Sequence, residues 1–267
     1  MKCRSILFFA LFAAFCQPVF AHRFWIIPSS SVLSGDKPWI TVDAAISNSL
    51  FFADHAAPAL EMFKVVGPDG QEIELQNGMK GKYRTTFDLQ LPLAGTYRIS
   101  TVRSSMNATY AENGETKRWR GSIQDFEKEG LKDKPGLQVS KVVSRVETFV
   151  TSGEPSAKAL EPTGEGLELS PVKTHPNDLF AGEPATFVLL KDGKPASDIE
   201  VVLIKGDDRY RSEPGEVKVK TNADGAFQLN FEQAGRYWLN ANASGVSQEG
   251  APTARYSYTA TFEVLPQ

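Results

Sequence analysis

Ala94-Gly95-Thr96-Tyr97-Arg98-Ile99 and Ala234-Gly235-Arg236-Tyr237-Trp238-Leu239 repeat one pattern, in which an Ala-Gly pair is followed by a tyrosine inside an apolar run. Upstream of each copy stands a second shared motif, Ser-Gly-Asp-Lys-Pro at 34–38 and Ala-Gly-Glu-Pro at 181–184. Glycine tolerates the backbone of a tight turn, and a run rich in aromatic and β-branched residues is typical of a strand. The repeat predicts two related modules, each with a glycine turn that leads into a late strand.

Short stretches of the same kind, separated by Gly, Pro, Asp and Asn, surround both copies. Runs 62–66 and 71–75 flank Gly67-Pro68-Asp69-Gly70, which predicts a hairpin. Helix signals are scarce, so the sequence predicts an all-β protein made of two tandem immunoglobulin-like β-sandwiches. The other predicted strands are 83–89, 95–102, 141–150, 185–190, 199–205, 216–221, 226–231, 235–241 and 256–264.

The predicted organisation has three parts, which are a signal peptide at 1–21, a first sandwich at 22–165 and a second sandwich at 166–267. Residues 151–171 are rich in Ser, Gly, Glu and Pro, as is typical of a connection between domains. Residues 104–136 are polar, and we predict a long loop that decorates the first sandwich and contains one short helix at 122–129.

Residues 1–21 have the features of a cleaved export signal. Lys2 and Arg4 give a positive start, an apolar stretch follows, and Val19 and Ala21 are the small residues that precede a cut. We therefore predict a periplasmic protein that is cleaved after Ala21 and begins at His22. No later apolar run approaches the ~20 residues that a membrane helix needs, so no membrane insertion is expected after cleavage.

Charge and cysteine content argue against several classes of function. The formal net charge is −3, and it becomes more negative by two when Lys2 and Arg4 leave with the signal, which disfavours nucleic acid as a partner. Cys3 and Cys16 are the two cysteines and both lie in the signal, so the mature chain has no thiolate ligand and no disulfide. Because no catalytic motif stands out, we predict that the protein is not an enzyme.

The candidate metal ligands are the three histidines, His22, His55 and His175. A free amino-terminal His22 offers its α-amine and its ring Nδ1 to the same ion, and imidazole suits zinc, copper, iron and nickel. Asp54 precedes His55 and could fix the tautomer of its ring. His175 stands in a His-Pro-Asn-Asp turn, where bracing the entry to the second sandwich is the alternative role. Carboxylates that could complete the site include Asp43 and Glu61.

A resemblance to a known family is carried by four segments, which are 22–28 (HRFWIIP), 165–169 (EGLEL), 174–183 (THPNDLFAGE) and 192–195 (DGKP). They resemble a bacterial domain-of-unknown-function family that is described as the periplasmic component of cobalt or nickel uptake. The stretch 192–241 also resembles the carboxypeptidase-regulatory type of immunoglobulin-like module. The resemblance covers essentially the whole mature chain and implies export, β-sandwich architecture and a transition-metal connection, with the family's amino-terminal histidine matching His22.

Three functional hypotheses follow. The first is a periplasmic accessory that binds a transition metal ion, which is nickel, cobalt, copper or iron, and delivers it to a membrane transport component or receptor. The second is a metal-free β-sandwich module that binds an outer-membrane receptor or another envelope protein. The third is a copper oxidase, because an amino-terminal histidine also serves the polysaccharide monooxygenases. Basic segments at 117–120 and 209–211 are candidate partner sites, with a structural role as the alternative.

Overall fold

A computed structural model describes residues 22–170, 173–245 and 253–267, so the proposed signal peptide and the cut after Ala21 lie outside the described residues. In chain order the strands are β1 (Arg23–Pro28), β2 (Val32–Leu33), β3 (Trp39–Ser47), β4 (Phe63–Val66), β5 (Glu72–Ile73), β6 (Gln76–Lys80), β7 (Thr85–Gln90), β8 (Gly95–Glu112), β9 (Glu115–Gly121), β10 (Gln138–Ser152), β11 (Leu167–Ser170), β12 (Pro184–Lys191), β13 (Lys194–Pro195), β14 (Glu200–Lys205), β15 (Val217–Lys220), β16 (Ala226–Asn230), β17 (Gly235–Ser244) and β18 (Thr253–Val264). The helices are α1 (Ile123–Lys128) and short 3₁₀ turns at Leu60–Met62, Leu131–Asp133, Lys158–Leu160 and Asp208–Tyr210.

The strands form three sheets that stack as two sandwiches with a shared middle layer. The middle sheet has ten strands in the order β15-β14-β17-β18-β10-β8-β4-β5, with β2 beside β10 and β9 beside β8. One outer sheet has the order β1-β3-β7-β6, and the other is built from β11, β12, β13 and β16. The predicted fold class, an all-β chain with two immunoglobulin-like β-sandwiches, is confirmed, as is the hairpin of β4 and β5.

The two hydrophobic cores lie on opposite faces of the middle sheet. Ile26 and Phe87 of one outer sheet pack with Val146 of β10, whereas Phe187 of the other outer sheet belongs to the core that contains Phe149 of β10. Successive side chains of a strand point to opposite faces, so an even-numbered and an odd-numbered residue of β10 enter different cores. Strand β10 is therefore common to both sandwiches.

Strand β18 joins the second half of the chain to the first. It pairs in parallel with β10, from Ser140 beside Thr253 to Thr148 beside Thr261. Parallel neighbours need a long crossover connection, and here most of the second sandwich forms that connection. The division between residues 165 and 166 stays a prediction, because each half has its own core while one sheet runs through both.

The repeated Ala-Gly-x-Tyr pattern folds in the same way in both halves. Gly95 has φ 130° and Gly235 has φ 138°, values that favour glycine. Tyr97 and Tyr237 each donate a hydrogen bond of 2.7 Å from the hydroxyl to the carbonyl four residues earlier. This contact is the tyrosine corner of immunoglobulin-like sandwiches, so the repeat seen in the sequence is a structural repeat.

Removal of either corner hydroxyl is expected to destabilise the protein. Tyr97→Phe and Tyr237→Phe should each lower the free energy of unfolding by about 1 kcal/mol. The loss should be larger for Tyr97, because its hydroxyl also accepts a hydrogen bond of 2.9 Å from the backbone N–H of Leu93. Urea denaturation measures both, with Tyr83→Phe at an exposed tyrosine as the control. Equal stability of all three variants would contradict this role.

Residues 104–136 do not form the long loop that the sequence predicted. Strand β8 continues to Glu112, and Asn113-Gly114, with φ 52° and 79°, turns the chain into β9 as in a type I′ hairpin. Met106 and Ala108 point to a small separate core, while the intervening positions are polar. The alternation is therefore present in the sequence, but Ser, Asn and Thr at the outward positions make the segment look like a loop.

The short helix predicted within that segment is confirmed. In α1, the Ser122 hydroxyl accepts from the backbone N–H of Asp125, and the Asp125 carboxylate accepts from the backbone of Ser122. This reciprocal capping box satisfies two amide groups that have no partner inside the helix. Among the residues that the structure describes, no helix is long and apolar enough to cross a membrane.

Candidate metal site

His22 and His55 lie against each other at one end of the first sandwich. Their ring centroids are 3.6 Å apart and their planes differ by 13°, which is a stacked arrangement. Both residues are exposed to solvent. The structure thus brings together two of the three histidines named from the sequence, although they are far apart in the chain.

The pairing of β1 with β3 explains this contact. Arg23 lies opposite Ser47, so the residue that precedes β1 is next to the end of β3. The chain then returns through a loop, and Ile46 and Ala56 exchange two backbone hydrogen bonds of 2.9 and 3.0 Å that close it. The loop therefore holds His55 beside the start of β1.

Two of the carboxylates named from the sequence, Asp54 and Asp43, have other partners. Asp54 was expected to orient the ring of His55, but it accepts a hydrogen bond of 2.9 Å from the backbone N–H of Asn48 and so braces the loop. Asp43 lies 3.5 Å from the guanidinium of Arg84. Within the described part of the chain, no group of three His, Cys, Asp or Glu side chains is arranged to hold a metal ion. The two rings thus provide at most two side-chain ligands.

A cleft of about 750 Å³ opens beside His22, between the start of β1 and residues 212–216. One face of β10, β18, β17 and β14 forms its floor. The volume is in the range of small-molecule sites. Uncharged polar side chains on the floor are Ser144, Asn240, Asn242, Ser257 and Thr259.

His175 lies elsewhere, at the contact between the two halves. Its Nε2 is 3.0 Å from Oγ1 of Thr96, and its Nδ1 accepts a hydrogen bond of 3.1 Å from the backbone N–H of Asn177. Thr96 is opposite Thr151 on β10, whereas the cleft beside His22 includes Ser144. At ~3.3 Å per residue these two positions on β10 are about 23 Å apart. The structure therefore does not bring His175 to the His22–His55 pair, and the contacts fit the bracing role.

Stability should depend on the protonation of His175. Burial lowers the pKa of His175, and protonation of Nδ1 would remove its hydrogen bond from Asn177. As the pH falls, the histidine of the unfolded chain is protonated first, near pH ~6.5. The contribution of His175 to the free energy of unfolding is therefore complete above that pH and is lost as the pH falls below it. His175→Gln should therefore be less stable than the native protein at pH 8, with a smaller difference at pH 5.5. Denaturant titrations at both pH values test this, and a constant difference would contradict it.

Sequence reasoning missed the charged contact next to the pair. The guanidinium of Arg23 donates to Oδ2 of Asp208, and the backbone N–H of Leu50 donates to Oδ1 of the same carboxylate at 2.9 Å. Only 13% of the Arg23 side chain and 7% of the Asp208 side chain are exposed. Nothing local in the sequence indicates this contact, because the two charges belong to different halves of the chain.

Comparisons with known proteins give a family. A family profile described as a domain of unknown function (DUF4198) matches residues 19–245. No curated protein matches the chain. Among solved structures, the chain is similar to a DUF4785 family protein from Legionella pneumophila, with 13% identity over 81% of this chain and 51% of that chain and a TM-score of 0.25. For the D0-D1 domain of intimin the identity is 14% over 90% of this chain and 97% of that chain, with a TM-score of 0.21. The chain spans about half the length of the Legionella protein.

Proposed function

This chain belongs to the DUF4198 family, and we propose that it is a periplasmic accessory protein that binds a transition metal ion at His22 and His55 and delivers it to a membrane transport component or receptor. The observation that supports this proposal is the contact of the two exposed imidazole rings, with centroids 3.6 Å apart. Imidazole is a preferred ligand of first-row transition metals.

A third ligand comes from the chain terminus. When the signal is removed after Ala21, the α-amine of His22 becomes free, and it can bind the same ion as Nδ1 of its own ring. With a nitrogen of His55 the site then has three nitrogen donors. Such donors in a tetragonal arrangement suit Cu²⁺ and Ni²⁺, and Cu²⁺ is the tightest-binding divalent ion of the series. Copper and nickel are therefore the first ions to test, followed by cobalt and iron.

The stacked arrangement of the two rings differs from the arrangement that binding one ion requires. The lone pair of an imidazole nitrogen lies in the ring plane, so two nearly parallel rings in face-to-face contact cannot both direct a lone pair at one ion. One ring must turn about its side-chain bonds for both to bind. Because His22 and His55 are exposed, the fold leaves room for that rotation. Metal binding is expected to replace the stack by coordination.

The surface position of the site favours transfer over permanent storage. A site with three nitrogen ligands leaves further coordination positions for a ligand from another molecule. His22 also lines the cleft of about 750 Å³, through which such a ligand can approach. We therefore propose that the ion is cargo, and that a partner takes it over by ligand exchange.

The proposal is tested by titrating the dialysed mature protein with Cu²⁺, Ni²⁺, Co²⁺ and Fe²⁺. We expect one equivalent to bind, with weaker binding in His22→Ala and His55→Ala. His175→Gln changes the third histidine and is the control that should bind as the native protein does. Cells that carry His22→Ala should accumulate less of the metal. A native protein that takes up none of these ions at micromolar concentration would support the alternative, a metal-free module that binds an outer-membrane receptor or another envelope protein.

An oxidase that uses the same ligands remains a separate hypothesis. It predicts that the copper-loaded protein consumes oxygen when a reductant is supplied, with multiple turnovers per copper. A carrier predicts release of the ion to a stronger chelator without turnover. Oxygen uptake by native protein and by His55→Ala, measured at equal copper loading, separates the two.

A further inference from the structure

A turn from the second half of the chain contacts both segments that carry the His22–His55 pair. This turn consists of residues 206–210, directly after β14, and we name it the clamp. Its Asp208 carboxylate is nearly buried and accepts hydrogen bonds from the Arg23 guanidinium and from the backbone N–H of Leu50. Hydrogen bonds between ionised groups are among the stronger ones in proteins.

The two donors of Asp208 belong to the two arms that carry the histidines. Arg23 follows His22 directly, and Leu50 lies in the loop that reaches His55. One carboxylate therefore contacts both arms at once.

Other residues of the clamp hold the same loop. The guanidinium of Arg209 lies 4.7 Å above the ring of Phe52, and Tyr210 meets that ring edge-on with centroids 5.8 Å apart. A Cβ at Gly206 would lie 2.9 Å from the ring of Phe51, so glycine is needed for this approach. The clamp thus touches the loop at three consecutive positions, 50 to 52.

The loop needs such support because of its backbone. Phe51 has φ 65°, which a bulky residue adopts only with strain. Strained conformations of this kind persist only when surrounding contacts fix them. Without the clamp, residues 50–52 would be free to relax, and the position of His55 would depend on the remaining hydrogen bonds of the loop, among them those between Ile46 and Ala56.

We propose that Asp208 is a positioning residue for the metal site, and that it sets the separation of His22 and His55 before the ion binds. This inference rests on the proposed function. The α-amine and ring of His22 form their chelate within one residue and need no help from the clamp. Asp208 therefore acts through His55. When the loop is already ordered, less conformational entropy is lost as His55 joins the ion that His22 holds.

The test compares Asp208→Asn with Asp207→Asn. The second variant removes the same charge from the adjacent exposed position, where φ is 63° and asparagine is well tolerated. We expect Asp208→Asn to weaken metal binding about fivefold, less than the ~10-fold or more seen for groups bonded directly to a ligand. Asp207→Asn should bind as the native protein does. In a His55→Ala background, Asp208→Asn should cause no further loss, because the group through which it acts is absent.

A second readout does not depend on metal. In the metal-free protein, the stacked rings shield each other's protons, and Asp208→Asn should move the His22 and His55 ring-proton resonances towards their unstacked positions. Arg209→Ala, at an exposed residue, should shift them in the same direction if Asp208→Asn does not fold.

Unchanged resonances in both variants would overturn the positioning role even if the protein binds metal. Shifted resonances in a protein that binds no metal would support positioning of the pair and overturn the proposed function instead. Equal losses of affinity for Asp208→Asn in the native and His55→Ala backgrounds would also overturn the proposal.

Discussion

A mature protein that is acetylated on the α-amine of His22 is expected to bind Cu²⁺ at least ~10-fold more weakly than the native protein, which corresponds to about 1.4 kcal/mol. The acetylated protein keeps every side chain, but its α-amine has become an amide with no free amine beside it, which is a poor ligand at neutral pH. Its thermal stability without metal should be unchanged, because His22 is exposed and precedes β1. Competition titrations with a chelator of known affinity give the two dissociation constants.

The pH dependence of binding provides the control for this comparison. An ion must displace protons from its nitrogen ligands, and α-amines of peptides titrate at about pH 7.7–8.0. Native protein should therefore lose affinity steeply as the pH falls below neutrality, whereas the acetylated protein should show a shallower dependence. His22→Ala should weaken binding at least as much as acetylation, since it removes the ring and leaves a single amine. Equal affinities for native and acetylated protein would show that His22 binds through its side chain at most.

Local patterns in the sequence predict most of the strands and the glycine turns that precede Tyr97 and Tyr237. Turn residues between apolar runs fix where strands end, and Gly95 and Gly235 mark the same turn in both halves. The long hairpin of β8 and β9 was missed because only one face of it packs, on Phe126 and Leu131, and that core is small. A strand whose outward residues are Ser, Asn and Thr has the composition of a loop.

Pairing across the chain could not be predicted in this way. The parallel contact of β10 with β18 depends on the docking of one sandwich on the other, and neither strand carries a residue pattern that names its neighbour. The geometry of the candidate site could not be predicted for the same reason. His22 and His55 could each be named from the sequence, but their contact depends on the pairing of β1 with β3. Asp208 could not be named, because its role exists only where the two halves meet.

Among the described residues, the most deeply buried charged side chains lie where β10 meets β11 and β18. Arg145 of β10 is 2% exposed, and its guanidinium lies 3.2 Å from Glu168 and 3.7 Å from Glu147. Glu147 also accepts a hydrogen bond of 2.6 Å from the hydroxyl of Tyr258 on β18. Burial raises the pKa of Tyr258 and the nearby Glu147 raises it further, so the phenol remains a donor at neutral pH. Backbone N–H groups of residues 163–165 donate to Glu168.

Arg145→Met is expected to lower the free energy of unfolding by about 3–5 kcal/mol, because it leaves Glu147 and Glu168 buried without their cation. Methionine has a similar length, so the loss reflects charge and hydrogen bonds more than an empty space. Arg103→Met, at an exposed position of the neighbouring strand β8, is the control and should change stability by less than ~0.5 kcal/mol. Denaturant titrations at pH 7 measure the stability of both variants. A deficit below ~1 kcal/mol for Arg145→Met would show that the three groups do not form a mutually dependent network.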